Sequence, residues 1–280
     1  MSLACRKPKD VGYSYEMWTT DLLAEHARRH CREAGHPSLR RLARGTVSKI
    51  LAHAKTRPQK IQYYLERRGP LCDVQSVHVL CVYKEVHLLR AAHGEDASMI
   101  GYLSSDEKPG IQAMENLSPD RPPVAGAHEC IARDHPYRRH GTLTLLAAID
   151  LLSGHVHGHV VERHRSCEFV EFLKALHGLY PSDQKIRVIL DNHSPHVSKE
   201  TRTCLATLPN RFEFTFTPTH GSWLNLIESF FAKMARTMLR GIRVQSKAEL
   251  KERILLYLEE LNAAPLVFRW KYRTEELSVA

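Results

Sequence analysis

At about residue 99 the spacing of apolar residues changes, and that change limits the fold more than any other feature of the chain. Upstream, Val79, Val82, Val86 and Leu89 recur at helical spacing. Downstream, "MIGYLSSDEKPGIQAM" reads as two short strands joined at Pro109-Gly110, and "GTLTLLAAIDLLSGHVHGHVVER" as two more broken at Ser153-Gly154. Strands and helices then alternate. "CEFVEFLKALHGLY" is an amphipathic helix with Phe169, Phe172, Leu173 and Leu176 on one face, and "KIRVIL" is a buried strand. "VSKETRTCLATL" reads as a helix, "RFEFTFTP" as an alternating strand, and the chain from Ser222 as mostly helical. Strands first, then strands alternating with helices, specify an α/β domain with a mixed sheet covered by helices.

Composition sets outer limits. With 43% apolar and 25% charged residues the chain is that of an ordinary folded globular protein. Its apolar runs fall far below the ~18–20 residues of a membrane span. "MSLACRKPKD" lacks the apolar stretch of a secretory signal, so a cytoplasmic location and no membrane partner are expected. Seven dispersed cysteines without a CxxC pair suit reduced thiols rather than disulfides or a zinc cluster.

The charge is uneven. Residues 1–70 hold 15 Lys and Arg against 6 Asp and Glu, an excess of nine that equals the net charge of +9 of the whole chain. No acid occurs between Glu33 and Glu66. Within that stretch "AGHPSLRRLARGTVSKILAHAK" reads as helix, turn, helix, with Pro37 opening the first piece and Gly45 marking the turn. Val47, Ile50 and Leu51 form the buried face of the second piece. A preceding helix carries Leu22, Leu23, His26 and His30, capped by Thr20. The second helix of such a motif enters the major groove by its N-terminal residues. Arg40, Arg41, Arg44, Thr46, Ser48 and Lys49 are therefore candidate contacts to double-stranded DNA. A solvated basic face is the plainer account of the same charges. The expected layout is a small all-α helix-turn-helix domain over 1–70, a helical connector over 71–97 and the α/β domain over 98–280.

Three acids stand where solubility does not explain them. Asp106 ends the lead "MIGYLSS", Asp191 ends "VIL", and Glu228 lies in "SWLNLIESFF" beside a helical face of Trp223, Ile227, Phe230 and Met234. Each has a plain alternative: a turn acid before Pro109-Gly110, an Asx turn or cap for the 197–208 helix, and a margin position reaching water. Glu228 has no Lys or Arg three or four residues away to pair with. One idea covers all three, namely carboxylates converging on a divalent cation. Hard oxygen donors suit Mg2+, and two such ions about 4 Å apart clamp the oxygens of an in-line phosphoryl displacement.

"DEKPGIQA" at 106–113, "LDNHSPH" at 190–196 and "FTPTHGSWLNLIESFF" at 216–231 closely resemble the DDE transposases of bacterial insertion sequences in the mariner superfamily, in the branch named IS six-thirty. "RRHGT" at 138–142 and "ERHRSCEF" at 162–169 are similar to family segments as well, and the resemblance spans nearly the whole chain. It implies an RNase H-like catalytic domain with Asp106, Asp191 and Glu228 as catalytic metal ligands for two Mg2+ ions, which Mn2+ can replace. In that fold the first and fourth strands are neighbours, which brings Asp106 and Asp191 together across 84 intervening residues. It implies cleavage of DNA at element ends by activated water, then attack of the freed 3′-OH on target DNA, typically at TA. A homodimer on DNA is expected because two ends are held together, as is a bacterial, nucleoid-associated location. Family members usually carry a further helix-turn-helix region ahead of the one seen here. A shortened, non-catalytic DNA-binding repressor of transposition is therefore the alternative, and another nuclease on the same fold a third reading.

Around the acids, Asn192, His193, His196, Trp223 and Asn225 are candidate neighbours of the metal ligands. His193 and His196 orient water or meet phosphate, or serve only as loop polar groups. Arg138, Arg139, Arg163 and Arg165 are DNA contacts or partners in surface ion pairs. His155, His157 and His159 share a strand face opposite Val156 and Val160, read as solvated rather than as a metal site. Asp150 reads as a hairpin acid before Ser153-Gly154.

Overall fold

The computed structural model describes residues 2–61, 70–93, 100–219 and 221–267. It divides into two compact units, Met1–Glu66 and Arg67–Ala280.

In the first unit helix α1 (Thr20–His30) precedes a short 3-10 turn (Pro37–Arg41) and helix α2 (Arg44–His53). The core is Trp18, Leu23, Ala24, Val47 and Leu51. Trp18 is tolerated there because its indole N–H donates to the Arg6 carbonyl at 2.7 Å. Three local expectations shift. The cap of α1 is Thr19, whose hydroxyl accepts from the Leu22 N–H at 3.1 Å, rather than Thr20. The first piece of the expected motif is a single 3-10 turn, and Gly45 lies inside α2, so the bend is at Leu42 and Ala43. Ile50 is 45% exposed. A ten-residue helix buries the narrow stripe of Val47 and Leu51, and Ile50 lies roughly 80° off that stripe at ~100° per residue.

The second unit is built on a five-stranded sheet of order β3-β2-β1-β4-β5. Its strands are β1 (Ile100–Asn116), β2 (Tyr137–Asp150), β3 (Val156–Val161), β4 (Lys185–Leu190) and β5 (Phe212–Phe216). β1, β2 and β3 are antiparallel, whereas β4 runs parallel to β1 and β5 parallel to β4. This is the RNase H-like arrangement that the resemblance implies. Its helices are α3 (Pro70–His93), α4 (Ser166–Leu179), α5 (Lys199–Thr207), α6 (Ile227–Met234) and α7 (Lys247–Ala263).

Alternation along the strands sends successive side chains to two cores. One contains Val79, Val82 and Val86 of α3, Phe230 and Met234 of α6, and Leu250, Ile254 and Leu258 of α7, packed on Tyr102, Leu145 and Ile189. The other sets Phe169, Phe172, Leu173 and Leu176 of α4 against Leu103, Leu146, Val188 and Leu190. Because α3 shares the first core, it belongs with the sheet and is not a connector between domains; residues 94–97 of the expected connector lie outside the described residues.

Pro109-Gly110 is not a hairpin turn. β1 runs through it, with Lys108 opposite Leu145 and Ile111 opposite Leu143. Three residues on β1 thus advance while β2 advances two, which makes a bulge. Proline has no N–H for the ladder, and Gly110 adopts φ +69°, so the pair fits a bulge as well as a turn. The last helical segment also starts later than its apolar pattern suggests. Ser222–Leu224 form a 3-10 turn, and α6 opens at Ile227. Among the described residues no helix is long and apolar enough to cross a membrane.

Candidate active site

The parallel register of β1 and β4 ends with Ser104 opposite Ile189. Two residues further along each strand, Asp106 and Asp191 stand at one level. Asp191 follows directly on the buried Val188–Ile189–Leu190 segment, which fixes its backbone. Alternation turns Asp106 toward α6 and its neighbour Glu107 toward α4 and α5.

On the α6 side, Asn225 joins the segments. Its amide N–H group donates to the Ser105 carbonyl at 2.9 Å and to Asp106 Oδ2 at 3.3 Å. Its Oδ1 accepts from the Ser104 hydroxyl at 2.5 Å, and that hydroxyl accepts from the Ile227 N–H at 2.9 Å. Tyr83 of α3 donates to the Leu224 carbonyl at 2.6 Å, and burial pushes its phenol up. These bonds explain why α6 begins at Ile227: the preceding residues spend their polar groups on β1 and α3. Trp223, placed by helical spacing on the packed face, falls in the 3-10 turn and is 37% exposed. Glu228 occupies the first turn of α6 and is exposed.

On the other side, Asp191 Oδ1 accepts from the His193 N–H at 2.9 Å and lies 3.1 Å from His196 Nδ1. Asn192 donates to the Thr217 carbonyl at 2.9 Å, tying the exits of β4 and β5 together. Burial alone would push the His196 imidazole down, but its hydrogen bonds to Asp191 and Glu107, with the Glu107 charge, raise it to about 10. The His196 hydrogen bond in turn holds the Asp191 carboxyl below its usual range. Asp106 moves the other way. Burial, then the charges of Glu107, Asp191 and Glu228, push it up to about 7.

Oxygens of Asp106, Glu107 and Asp191 lie within 4.8 Å of one another. Glu228 stands outside that group, although its charge reaches Asp106. Sequence reasoning misses Glu107; the available signal is its place next to Asp106, directly after the buried Gly101–Ser105 segment.

The family model described as DDE superfamily endonuclease matches residues 112–251, half of the chain. This chain belongs to the DDE superfamily endonucleases. The matched span holds Asp191 and Glu228, and Asp106 lies just ahead of it. The "Insertion element IS630 uncharacterized 39 kDa protein" of Shigella sonnei is 27% identical over 100 residues, a stretch that spans 36% of this chain and 29% of that relative. A Mos1 mariner paired end complex with Mn is similar at 16% identity and a TM-score of 0.49, covering 88% of this chain and 67% of that one. The catalytic domain of Mos1 mariner transposase gives 15% identity and a TM-score of 0.44, covering 72% and 86%.

The donor set of this DDE chain fits a hard divalent cation. Asp106 and Asp191 offer only carboxylate oxygens, and burial, with like charge around it, raises Asp106 in a way that a cation reverses.

The remaining residues fall into three groups. In the first unit Arg40, Arg41, Arg44, Thr46, Ser48 and Lys49 are all exposed, and Arg44 lies 3.3 Å from Asp21. In the second unit Arg163 is exposed. Arg138 reaches Glu115 at 3.5 Å, and Arg139 donates to the Tyr137 hydroxyl at 2.9 Å. Arg165 pairs with Glu168 at the start of α4 at 2.6 Å, which holds the Glu168 carboxyl down to about 2. Last, the histidine face of β3 is not solvated throughout. His157 meets the Tyr180 hydroxyl at 3.0 Å, and burial pushes its imidazole down to about 4. Tyr180 comes from the end of α4 to cover that face and donates to Asp150 at 2.8 Å. Asp150 also accepts the Leu152 and Ser153 N–H groups, as a hairpin acid does.

Proposed function

We propose that this chain is a transposase that cleaves DNA at the ends of an insertion sequence and joins the freed 3′-OH to target DNA, with TA as the target dinucleotide. The observation that carries the reading is the convergence of Asp106 and Asp191 at the end of one parallel strand pair, with Glu228 presented from α6 on the Asp106 side. Asp106, Asp191 and Glu228 are the metal ligands in this reading. Bound there, two Mg2+ ions, or Mn2+ in their place, would supply Lewis-acid neutralisation of charge on the transferring phosphate. The side chains themselves hold position. Asn225 fixes Asp106 against β1, and the Val188–Leu190 strand holds Asp191. Such positioning accounts for much of the rate in phosphoryl transfer.

The first unit binds double-stranded DNA. Arg40, Arg41, Arg44, Thr46, Ser48 and Lys49 are exposed along the 3-10 turn and the N-terminal half of α2, where a groove-reading helix presents its contacts. Arg138, Arg139, Arg163 and Arg165 add phosphate contacts from the catalytic domain, and two copies of the chain hold two DNA ends.

The test uses purified full chain, Mg2+ and a labelled duplex carrying the terminal repeat of the element that encodes it. The expected result is cleavage at the repeat end and joining to a plasmid, both abolished by Asp191→Asn while the duplex is still bound. Binding without cleavage in either Mg2+ or Mn2+ would overturn the enzyme reading and leave a DNA-binding repressor.

A further inference from the structure

Glu107 stands next to Asp106 on β1, yet its carboxylate is buried on the opposite sheet face, with the side chain 7% exposed. A carboxylate is stable in such a place only with a firm partner. That partner is His196, whose ring is 1% exposed and whose Nε2 lies 2.8 Å from Glu107 Oε1. The other ring nitrogen lies 3.0 Å from the Asp191 carbonyl oxygen and 3.1 Å from Asp191 Oδ1. A single imidazole therefore links the middle of β1 to the exit of β4, holding one carboxylate on each side.

The ring has little freedom. Phe169 of α4 packs against it with ring centroids 4.5 Å apart. The 3-10 turn Ser194–Val197 that carries it is pinned by the buried Thr201 hydroxyl, which donates to the Pro195 carbonyl at 2.6 Å. The His193 N–H also reaches Asp191 Oδ1, at 2.9 Å. Both donors thus converge on Oδ1, and Oδ2 is the oxygen these contacts do not use.

We propose that Glu107 and His196 form one positioning unit that sets the Asp191 carboxylate for divalent-cation binding and keeps Glu107 itself out of the ligand set. The inference rests on the proposed function above. It accounts for a carboxylate that lies within 4.8 Å of Asp106 and Asp191 and is nevertheless engaged by an imidazole. Ligand-orienting partners of this kind act through the ligand, and their loss typically weakens metal affinity about 10–100-fold.

The experiment titrates Mn2+ into the full chain without DNA, followed by electron paramagnetic resonance, with circular dichroism melting of each variant. Glu107→Ala and His196→Phe are each expected to weaken Mn2+ binding about 10-fold or more. Glu107→Gln keeps an oxygen that accepts from His196, and its affinity should stay within about threefold of the parent. The double variant should bind no more weakly than the weaker single, because both substitutions break one unit. If His196→Phe does not fold, the Glu107→Ala and Glu107→Gln pair carries the test. Parental affinity in Glu107→Ala, or additive losses in the double variant, would overturn the positioning role. Glu107→Gln as weak as Glu107→Ala would also overturn it, making Glu107 a direct ligand. A parent chain that binds no Mn2+ defeats the proposed function first, and this inference with it.

Discussion

Asn225 and Asp106 are joined by a hydrogen bond of 3.3 Å across 119 positions of sequence, and the same amide also holds the carbonyl of Ser105. This bond couples the start of α6 to the strand that carries Asp106. Glu228, three residues beyond Asn225, therefore takes its place from a side chain rather than from the packing of α6 alone.

Asn225→Ala should lower both stability and activity. Asn225 is 1% exposed, and its loss takes the acceptor from the Ser104 hydroxyl and a donor from the Ser105 carbonyl and from one oxygen of Asp106. Each buried group left unpaired costs about 1–3 kcal/mol. Asn225→Asp should be worse at neutral pH, because it sets a further negative charge against Asp106. Urea unfolding of the two variants in EDTA gives the order directly. An Asn225→Ala chain as stable as the parent would show that α6 is placed without this amide.

The contribution of Asp106 to stability without metal should fall as pH rises from about 4 toward 7. It is opposite in sign to that of His157, whose buried imidazole is held down to about 4, so it is read as the difference between the parent and Asp106→Asn. The Asp106 carboxyl titrates near 3.8 when unfolded and near 7 when folded. Between those values the Asp106 carboxyl holds more proton in the folded chain than in the unfolded one, so this group favours unfolding as pH rises until about pH 7. A divalent cation offsets the exposed negative charge, so the rise in Tm produced by Mn2+ should be larger at pH 8 than at pH 5.5. Asp106→Asn removes this contribution. Thermal melts with EDTA and with Mn2+ at both pH values test it, and equal Mn2+ shifts would count against the site.

The sheet and Asp191 were legible in the sequence because they rest on local pattern. "KIRVIL" is apolar enough to be a buried strand and can only release an acid at its end, which is where Asp191 stands. Pro109-Gly110 was not decidable locally. The same dipeptide suits a turn and a bulge, and only its pairing with Leu143 and Leu145 of β2 selects the bulge. Glu107 was hidden for a related reason, since its stabilising partner lies 89 residues away and an acid just ahead of Pro109-Gly110 otherwise reads as a solvent-facing turn residue. The β3 histidines illustrate the limit of period-two reasoning. Alternation places them on one face, but Tyr180, from beyond α4, determines that His157 is covered.

The basic residues of the first unit should bind phosphates independently of one another. Arg41 and Lys49 are exposed, the former ending the 3-10 turn and the latter on α2. Removing either cation should reduce the slope of log affinity against log salt by about one, with little change in sequence preference. Arg41→Ala and Lys49→Ala, measured by fluorescence anisotropy on a labelled duplex over a salt series, are expected to behave this way. A slope unchanged in both variants would leave these residues as solvated surface.

Gly221→Ala should disturb the approach to Asn225. Gly221 is buried, and its N–H donates to the Pro218 carbonyl at 2.8 Å. A Cβ there would lie 2.8 Å from that same carbonyl oxygen and 2.6 Å from the Pro218 ring. Backbone and a proline ring cannot rotate away as a long side chain can, so the segment itself must move. Overpacking of this kind typically costs about 1–3 kcal/mol. The strain falls four residues before Asn225, in the turn that leads to Ser222–Leu224 and then to α6. Loss of DNA cleavage should therefore accompany the drop in Tm, while duplex binding by the first unit is retained. A Gly221→Ala chain with parental Tm and cleavage would show that this turn yields without carrying α6 with it.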